Sequence, residues 1–478
     1  MIDKIIFISL ITFSYVLQAD NKTPIIHSDF HGEVNLDDAE PWIAPDYTQQ
    51  EKTLGYEISG FSVPAGLEER VAFWLDIYTK YSTDQGLLHD SRYVHLVYEP
   101  IDFTEIMNQP QLDRKIKSKM RRKLVDEAKT RIRERLKRLD QLSSPVGLEG
   151  EDLRYWYMFA KIDEKNKFKE AAKDGRLRFQ LGQKNRFLEG IYHSGRYIKE
   201  MESIFKEHHL PIELTRLPFV ESSFNLNARS RVGASGVWQF MRSTGKQYMK
   251  IDGVVDERND PLKATEAAAQ KMKKNFHMLG NWPLAVTAYN HGPYGMRRLV
   301  NKFKTDNLVE IVDIRKGSFG FASASFYASF LAALEAEKRA EKYFGVVFRE
   351  KPMSSKRIQI NKSFSSKQLI KLFNDNQEMA DKYNPHLRSY FWKGYRNLNK
   401  GHYISVPEIN YDHYLANFKS TEPLKMVPVK GENYQIVKGD TLSQIAENFN
   451  ISLKILMEAN GIDNPRRIRV GQKLVIPQ

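Results

Sequence analysis

One acidic residue, Glu221, lies where an apolar run meets a stretch of small and polar residues. The apolar residues around it are Leu214, Leu217, Phe219, Val220 and Phe224. Apolar surroundings disfavour the charged form of a carboxyl group and so raise its pKa. A carboxyl that stays protonated near neutral pH can act as a general acid. On this local chemistry alone, an ordinary solvated helix end is the favoured interpretation of Glu221, and acid catalysis is the alternative.

The residues after Glu221 suit a loop whose backbone lies close to a bound molecule. They are mostly small or polar as far as Gly236: Ser222, Ser223, Asn225, Asn227, Ser230, Gly233, Ala234, Ser235 and Gly236. The stretch ends at Trp238, Gln239 and Met241, which bring a flat ring, an amide and a thioether. Because sugars stack on flat rings and hydrogen-bond to amides, this composition favours a carbohydrate ligand.

The order and spacing of these residues resemble the catalytic core of lytic transglycosylases with the goose-type lysozyme fold, which cleave peptidoglycan. The matching segments are Glu221-Ser222-Ser223-Phe224, Ala228 with Ser230, and Gly233 to Met241. A second family motif resembles Ala288 to Pro293, where His291 replaces the family alanine. Tyr327 stands at the third motif, in which Ser323 and Ala324 replace a Glu-Thr pair.

The resemblance implies a mechanism with one carboxyl group. Protonated Glu221 would donate to the oxygen linking N-acetylmuramic acid to N-acetylglucosamine, then deprotonate the muramic C6 hydroxyl to close a 1,6-anhydro ring. It implies substrate-binding roles for Ser230, Gln239, Met241, Tyr289, Asn290 and Tyr327. Neither a metal nor a cofactor is expected. Two alternatives stay open: a hydrolytic muramidase on the same fold, and a non-enzymatic peptidoglycan-binding protein.

The C-terminal residues 432–478 follow the pattern strand, helix, helix, strand and resemble a LysM domain, a module that binds N-acetylglucosamine-containing glycans. The resemblance implies glycan contacts at Gly439, Asp440, Thr441, Asn464 and Pro465. Residues 351–410 resemble a diverged earlier copy that lacks the Gly-Asp-Thr turn. The sequence therefore leaves open whether this copy binds sugar.

Charge and composition indicate an exported protein with an anionic partner. The chain has 478 residues, a net charge of +14 and no cysteine. A basic balance favours an acidic polymer, and because we find no nucleic-acid motif, peptidoglycan strands are the expected partner.

Residues 1–19 resemble a secretory signal. The alternative is that this segment is not cleaved and anchors the protein in a membrane. We expect a periplasmic or cell-envelope protein without cysteine-linked lipid; the sequence does not indicate an oligomeric state.

These patterns predict a mainly α catalytic region of lysozyme-like α+β type, followed by small α+β modules of βααβ order. The expected divisions are a signal peptide (1–19), a flexible leader (20–60), a helical N-terminal region (61–185), a catalytic domain (186–350), a diverged LysM-like module (351–410), a linker (411–431) and a LysM domain (432–478).

Overall fold

The structure is a computed structural model that describes residues 39–41, 61–314, 319–421, 431–437, 439–449 and 451–477. The predicted signal peptide lies outside these residues, as does almost all of the predicted leader. Within the described ranges, every helix is either too short or too polar to cross a membrane.

The N-terminal region combines helices with a small antiparallel sheet. Its helices are α1 (Glu68–Thr79), α2 (Thr104–Met107), α3 (Arg114–Leu139), α4 (Gly150–Met158) and α5 (Lys167–Ala171). The sheet has the order β3 (Val97–Asp102), β2 (Gln85–Asp90), β4 (Leu177–Leu181). Outside this sheet, β1 (Ala39–Pro41) pairs antiparallel with β5 (Phe348–Glu350). The long helix α3 buries one stripe of residues, Val125, Ala128, Ile132, Leu136 and Leu139. Because these residues recur every three or four positions, only one face of α3 packs and its basic face stays in solvent.

The predicted catalytic domain is helical. Its helices are α6 (Lys184–Ser194), α7 (Ile198–Glu207), α8 (Leu217–Glu221), α9 (Arg242–Gly245), α10 (Pro261–Leu279), α11 (Trp282–His291), α12 (Pro293–Phe303), α13 (Leu308–Ile314), α14 (Phe321–Lys338) and α15 (Ala340–Phe344). Helix α14 is buried along almost its whole length and contacts α1, α8 and α11. A helix that is apolar on all sides belongs in a core. Helix α14 therefore supports α8, whose last residue is Glu221.

Helices α10 and α11 begin in the same way. The side chain of Asp260 accepts hydrogen bonds from the backbone nitrogens at the start of α10, both at 2.9 Å. The side chain of Asn281 accepts one from Leu284 at 3.0 Å. Each cap is followed by a proline in the first turn, whose fixed φ suits that position. These two helices pack side by side and bring residues from both toward Glu221.

Two small modules complete the chain. The second has the predicted βααβ order, and the first has the same order with one further short helix before its second strand. The first contains β6 (Ser355–Gln359), α16 (Ser366–Leu372), α17 (Gln377–Tyr383), α18 (Ser389–Trp392), β7 (Tyr403–Pro407) and α19 (Tyr411–Ser420). The second contains β8 (Gly431–Gln435), α20 (Leu442–Asn448), α21 (Leu453–Asn460) and β9 (Lys473–Pro477). In each, the two strands pair antiparallel. Phe418 is buried in the core of the first module, so the predicted linker begins with a helix of that module.

One asparagine joins a helix end to the last strand in each module. Asn384 donates to the Ser405 carbonyl at 2.9 Å and accepts from the Ser405 nitrogen at 2.7 Å. Asn460 donates to the Val475 carbonyl at 2.7 Å and accepts from the Val475 nitrogen at 2.6 Å. Both also donate to the carbonyl four residues earlier in their helix. The two modules therefore share an interaction as well as a topology.

The first module is packed firmly against the catalytic domain. The Tyr403 hydroxyl donates to the Asp260 carboxylate at 2.6 Å, and Arg357 pairs with Glu266 at 2.8 Å. Val254 and Val255 of the catalytic domain are buried in the core of the module. These contacts fix the point from which the C-terminal module extends.

Candidate active site

A cleft of about 650 Å³ opens beside the end of α8 and contains Glu221. Its walls come from three parts of the chain that are distant in sequence. They include Trp74 and Tyr78 of α1, Gln183, Asn185, Arg186 and Glu189 of α6 and its approach, and the loop from Ser222 to Ser230 with Gln239. The N-terminal region therefore completes a site whose chemistry lies in the helical domain.

The environment of Glu221 favours its protonated form. Burial raises the pKa of its carboxyl to about 7, and the opposing effect of the Lys271 ammonium is smaller. Across the described ranges no group hydrogen-bonds to this carboxyl. An acid that is protonated near pH 7 and is not hydrogen-bonded to the protein can give its proton to a bound substrate.

Lys271 of α10 is a charged neighbour of Glu221 that the sequence analysis missed. Its ammonium donates to the Tyr289 carbonyl at 2.9 Å and lies 3.5 Å from the centroid of the Tyr289 ring. Burial lowers the pKa of Lys271 to about 8, and the Glu221 charge acts in the opposite direction. A signal for this position existed, because Lys271 follows the buried Ala267 and Ala268 by four and three residues and shares their face of the helix.

Replacing Lys271 with Met is expected to move the alkaline limb of the pH–rate profile to higher pH. The ammonium lowers the pKa of Glu221, so its removal raises that pKa, and the acid stays protonated to higher pH. The check is the initial rate on a soluble glycan from pH 5 to pH 9. Lys274→Met, an exposed change on the same helix, is the control and should leave the profile in place. If the alkaline limb of Lys271→Met does not move, or moves to lower pH, the proposed effect of Lys271 on the pKa of Glu221 is contradicted.

Two buried tyrosines lie close enough to Glu221 to interact with its charge. Burial raises the pKa of Tyr78 and of Tyr289 well above the ordinary value, and the Glu221 charge adds to both effects. Both phenols therefore stay neutral at physiological pH. The Tyr289 hydroxyl donates to the Trp238 carbonyl at 3.0 Å and so supports the loop after Glu221. Tyr78 comes from α1, far from the motifs, and the sequence analysis did not single it out.

A second carboxyl group, Glu189, lines the same cleft. It is 5% exposed and belongs to α6, whose Gly190 packs against the backbone of Ser223. The sequence analysis missed Glu189 because it lies outside the recognised motifs. Its position matters for the reaction class, because many glycosidases use two carboxyl groups.

Ser230 and Gln239, both predicted to bind substrate, line the cleft and also hold its loop together. The Ser230 hydroxyl accepts from the Ala234 nitrogen at 2.9 Å. The Gln239 amide nitrogen donates to the carbonyls of Ala228 at 3.1 Å and Gly236 at 2.8 Å. Gln239 has a φ of +47°, a left-handed conformation that is unusual for a residue other than glycine. The loop is therefore ordered by its own side chains before any ligand binds.

Asn290, a predicted sugar contact, is exposed and linked to the replaced third motif. Its side-chain oxygen accepts from the Ser323 hydroxyl at 3.0 Å, and His291 Nδ1 lies 3.1 Å from the same hydroxyl. Burial lowers the pKa of His291 below its ordinary value, and Arg298 adds to this effect. Ser323 and His291, which both differ from the family pattern, therefore contact each other and position Asn290 together.

Three other residues singled out in the sequence lie away from the Glu221 cleft. Trp238 is 0% exposed, stacks on Phe205 and donates to the Thr265 hydroxyl at 2.8 Å. The expectation that its ring stacks on a sugar is therefore wrong. Tyr327 is buried in α14, and burial raises its pKa well above the ordinary value. Met241 is exposed and lines a neighbouring cleft.

The predicted glycan-binding residues of the C-terminal module lie in two places. The Asp440 carboxylate accepts from the Tyr434 hydroxyl and the Val437 nitrogen, both at 2.8 Å, and so closes the turn that contains Gly439. Thr441 caps α20. Asn464 and Pro465 are exposed on the loop before β9, and Asn464 faces the same neighbouring cleft as Met241.

Comparison with known families separates two recognised domains. Residues 198–310 match the transglycosylase SLT domain, and residues 434–477 match the LysM domain. The first match contains Glu221, Lys271 and Asn290, and the second contains Asp440 and Asn464.

Curated relatives agree with these matches. Membrane-bound lytic murein transglycosylase D of Escherichia coli (strain K12) is 28% identical over 285 residues, which cover 57% of this chain and 61% of the relative. A putative tributyltin chloride resistance protein of Alteromonas sp. (strain M-1) is 33% identical over 112 residues, covering 23% of this chain and 53% of that protein. The secreted LysM effector ECP6 of Passalora fulva is 48% identical over 84 residues, covering 17% and 37%.

The chain spans about three fifths of the length of the Escherichia coli relative. The cleft around Glu221 belongs to the segment that matches the SLT family, and the module with Asn460 at its centre matches the LysM family. This chain thus contains a transglycosylase SLT domain and a C-terminal LysM domain, and it is homologous to membrane-bound lytic murein transglycosylase D.

Proposed function

We propose that this protein is a peptidoglycan lytic transglycosylase that cleaves the β1,4 bond between N-acetylmuramic acid and N-acetylglucosamine. One observation carries the proposal. Within the SLT-matching segment, Glu221 is a carboxyl whose pKa burial raises to about 7, and it lies in a cleft of about 650 Å³.

In the proposed reaction Glu221 serves twice. It first donates its proton to the bridging oxygen, so that the glycosidic C–O bond breaks and the N-acetylglucosamine portion leaves as an alcohol. The C6 hydroxyl of the muramic residue then bonds to its own C1, and Glu221 takes the hydroxyl proton. The proton count balances, the acid is regenerated, and no water is consumed. The product is a 1,6-anhydro-N-acetylmuramic end.

In this proposal some of the other predicted site residues contact the substrate and others support the site. Ser230 and Gln239, which line the cleft, would contact substrate, and Asn290 would offer its exposed amide from α11. Tyr289 supports the loop after Glu221, because its hydroxyl donates a hydrogen bond to the Trp238 carbonyl. Tyr327 is buried in the core behind α8 and supports that helix. Met241 lines the neighbouring cleft, which residues of the LysM domain also line.

Digestion in water labelled with oxygen-18 tests the reaction class. In a transglycosylase reaction the new bond at C1 uses the substrate's own oxygen, so the primary products should carry no label. A hydrolase takes its oxygen from water and labels the new reducing end. Brief incubation and analysis of the oligosaccharide masses separate the two cases.

A hydrolytic muramidase is the second candidate, and Glu189 is the observation that favours it. A second carboxyl in the cleft could activate a water molecule or stabilise a cationic sugar. If Glu189 has that role, Glu189→Gln should lower the rate by about 100-fold or more. If the reaction is a transglycosylation that needs Glu221 alone, the same change should have a far smaller effect.

We propose that the LysM domain binds peptidoglycan and so holds the enzyme at its substrate, and that the protein works in the periplasm or cell envelope. The match to the LysM family supports wall binding, and the net charge of +14 suits an acidic polymer. The first module, with Asn384 in the position that Asn460 has in the LysM domain, is proposed to be a diverged LysM-like copy that links the two recognised domains.

Deleting residues 430–478 should weaken binding to purified sacculi by about 10-fold or more. Two linked binding sites raise each other's effective concentration, and the deletion removes one of them. Turnover of a short soluble glycan should be retained, because such a substrate occupies the Glu221 cleft alone. The measurement is a sacculus pull-down of the full-length and truncated proteins. Equal retention of both proteins would contradict a binding role for the LysM domain.

A further inference from the structure

A second cleft, of about 820 Å³, lies between the catalytic domain and the LysM domain. Its polar lining is dominated by cations, namely Arg229, Arg242, Lys246, Arg258, Arg388 and Arg467. Among the residues that the structure describes, two carboxylates, Asp256 and Asp463, line the same space. The cleft therefore carries a clear excess of positive charge.

Half of these cations neutralise the two carboxylates. Arg258 pairs with Asp256 at 2.7 Å. Asp463 of the LysM domain is held by Arg242 of the catalytic domain at 2.8 Å and by Arg388 of the first module at 2.5 Å. The double pairing of Asp463 joins three parts of the chain and forms the cleft before a ligand arrives.

The other three cations have no acidic partner among the described residues. Arg229, Lys246 and Arg467 are all exposed, and they come from the loop after Glu221, from the end of α9 and from the loop before β9. Three solvated cations facing one concave space create a positive potential there, and this potential favours an anionic ligand.

The second cleft adjoins the Glu221 cleft, because the two share a lining residue. Arg229 lines both of them. Asn464 of the LysM domain and Met241 also line the second cleft. A polymer strand in the Glu221 cleft could therefore run past Arg229 and reach the LysM domain without leaving the surface.

We propose that this inter-domain cleft binds the carboxylates of a peptidoglycan strand beyond the sugars that react, with Arg229, Lys246 and Arg467 as the contacting cations. The inference rests on the proposed function, because it takes the strand in the Glu221 cleft to be peptidoglycan. Such a strand carries carboxylates on its peptide stems, or on the lactyl groups of muramic residues from which the stems have been removed. The cleft thus favours muramic-acid-containing strands over uncharged polymers of N-acetylglucosamine.

The test is binding to three glycans by the full-length chain carrying Glu221→Gln, which prevents cleavage during the measurement. The glycans are peptide-bearing strands, strands whose stems have been removed by an amidase, and a chitooligosaccharide without carboxylates. The double change Lys246→Gln with Arg467→Gln should weaken binding to a carboxylate-bearing strand about 3- to 10-fold. The loss should shrink at high salt, because exposed charges are screened.

A matched control removes the same charge elsewhere. Lys119→Gln with Arg122→Gln on the exposed face of α3 should leave all three affinities unchanged. Loss for peptide-bearing strands alone identifies stem carboxylates as the ligand, and loss for amidase-treated strands as well shows that the cleft also accepts lactyl carboxylates. An equal loss for the chitooligosaccharide, or no loss for any glycan, would overturn the proposal. Because the assay measures binding only, its failure is distinguishable from failure of the proposed reaction, which product analysis reports.

Discussion

Glu221→Gln is expected to lower the rate of peptidoglycan cleavage by roughly 1,000- to 10,000-fold. General acid–base catalysis by one side chain is typically worth ~100- to 10,000-fold, and here one group acts in both steps. Glutamine keeps the shape and the hydrogen-bonding capacity of the side chain but cannot transfer the proton. The measurement is the rate at which soluble fragments are released from purified sacculi.

The folded state should survive this change. Burial raises the pKa of Glu221, so its ionised form costs stability above neutral pH, and a neutral amide removes that cost. The unfolding temperature of Glu221→Gln should therefore match or exceed that of the wild type, most clearly at pH 8. Near-normal activity in a well-folded Gln variant would remove Glu221 from the mechanism.

Glu337→Ala is expected to lower the free energy of unfolding by about 3–5 kcal/mol, because removing one partner of a buried ion pair leaves an uncompensated charge. Glu337 is fully buried in α14 and binds Arg216 at 2.8 Å and Arg349 at 2.5 Å. Arg216 belongs to the 3₁₀ segment that leads into α8, so this cluster anchors the chain just before Glu221. Urea unfolding measures the loss.

The same cluster has a predictable pH dependence. Burial alone would raise the pKa of Glu337, but the two guanidinium groups outweigh burial and hold it below the ordinary value. A carboxyl with a lowered pKa stabilises the fold above its unfolded pKa, and this contribution disappears as pH falls through the folded value. The difference in stability between wild type and Glu337→Ala should therefore shrink in strong acid.

Glu335→Ala, two residues earlier on the same helix, is the matched control. Glu335 pairs with Arg339 at 3.2 Å, and the arginine side chain is 56% exposed, so we expect a loss of about 0–1 kcal/mol. If the two substitutions had equal effects, the buried cluster would not stabilise the fold as described.

The local chemistry of Glu221 could be predicted from sequence because neighbours in the chain supply much of it. Phe219 and Phe224 are buried around the acid, and the loop from Ser222 to Ser230 lines the cleft as its composition indicated. The βααβ order of the LysM domain was equally visible, because strand and helix periodicities and the caps at Thr441 and Ser452 are local signals.

What the sequence did not reveal depends on packing between distant segments. Tyr78 reaches the cleft from α1 and Glu189 from α6, and neither lies in the catalytic motifs around Glu221, Asn290 and Tyr327. In the sequence Lys271 cannot be distinguished from a surface lysine, because its contact with Tyr289 forms only when α10 packs against α11. The prediction that Trp238 stacks on a sugar was wrong for the same reason. Its ring could stack on a sugar, but neighbouring residues in the fold bury it. Residue type indicates what a side chain can do, and tertiary packing decides where it does so.

The most direct test of the proposed reaction is the mass of the fragments that wild-type protein releases from purified sacculi. A transglycosylase product ends in 1,6-anhydro-N-acetylmuramic acid and is lighter by one water than the corresponding lysozyme product. We predict that the anhydro form dominates from the earliest time points and that it is absent when Glu221→Gln replaces the wild type. Fragments with reducing ends, and no anhydro form, would contradict the account and assign the protein to the hydrolases.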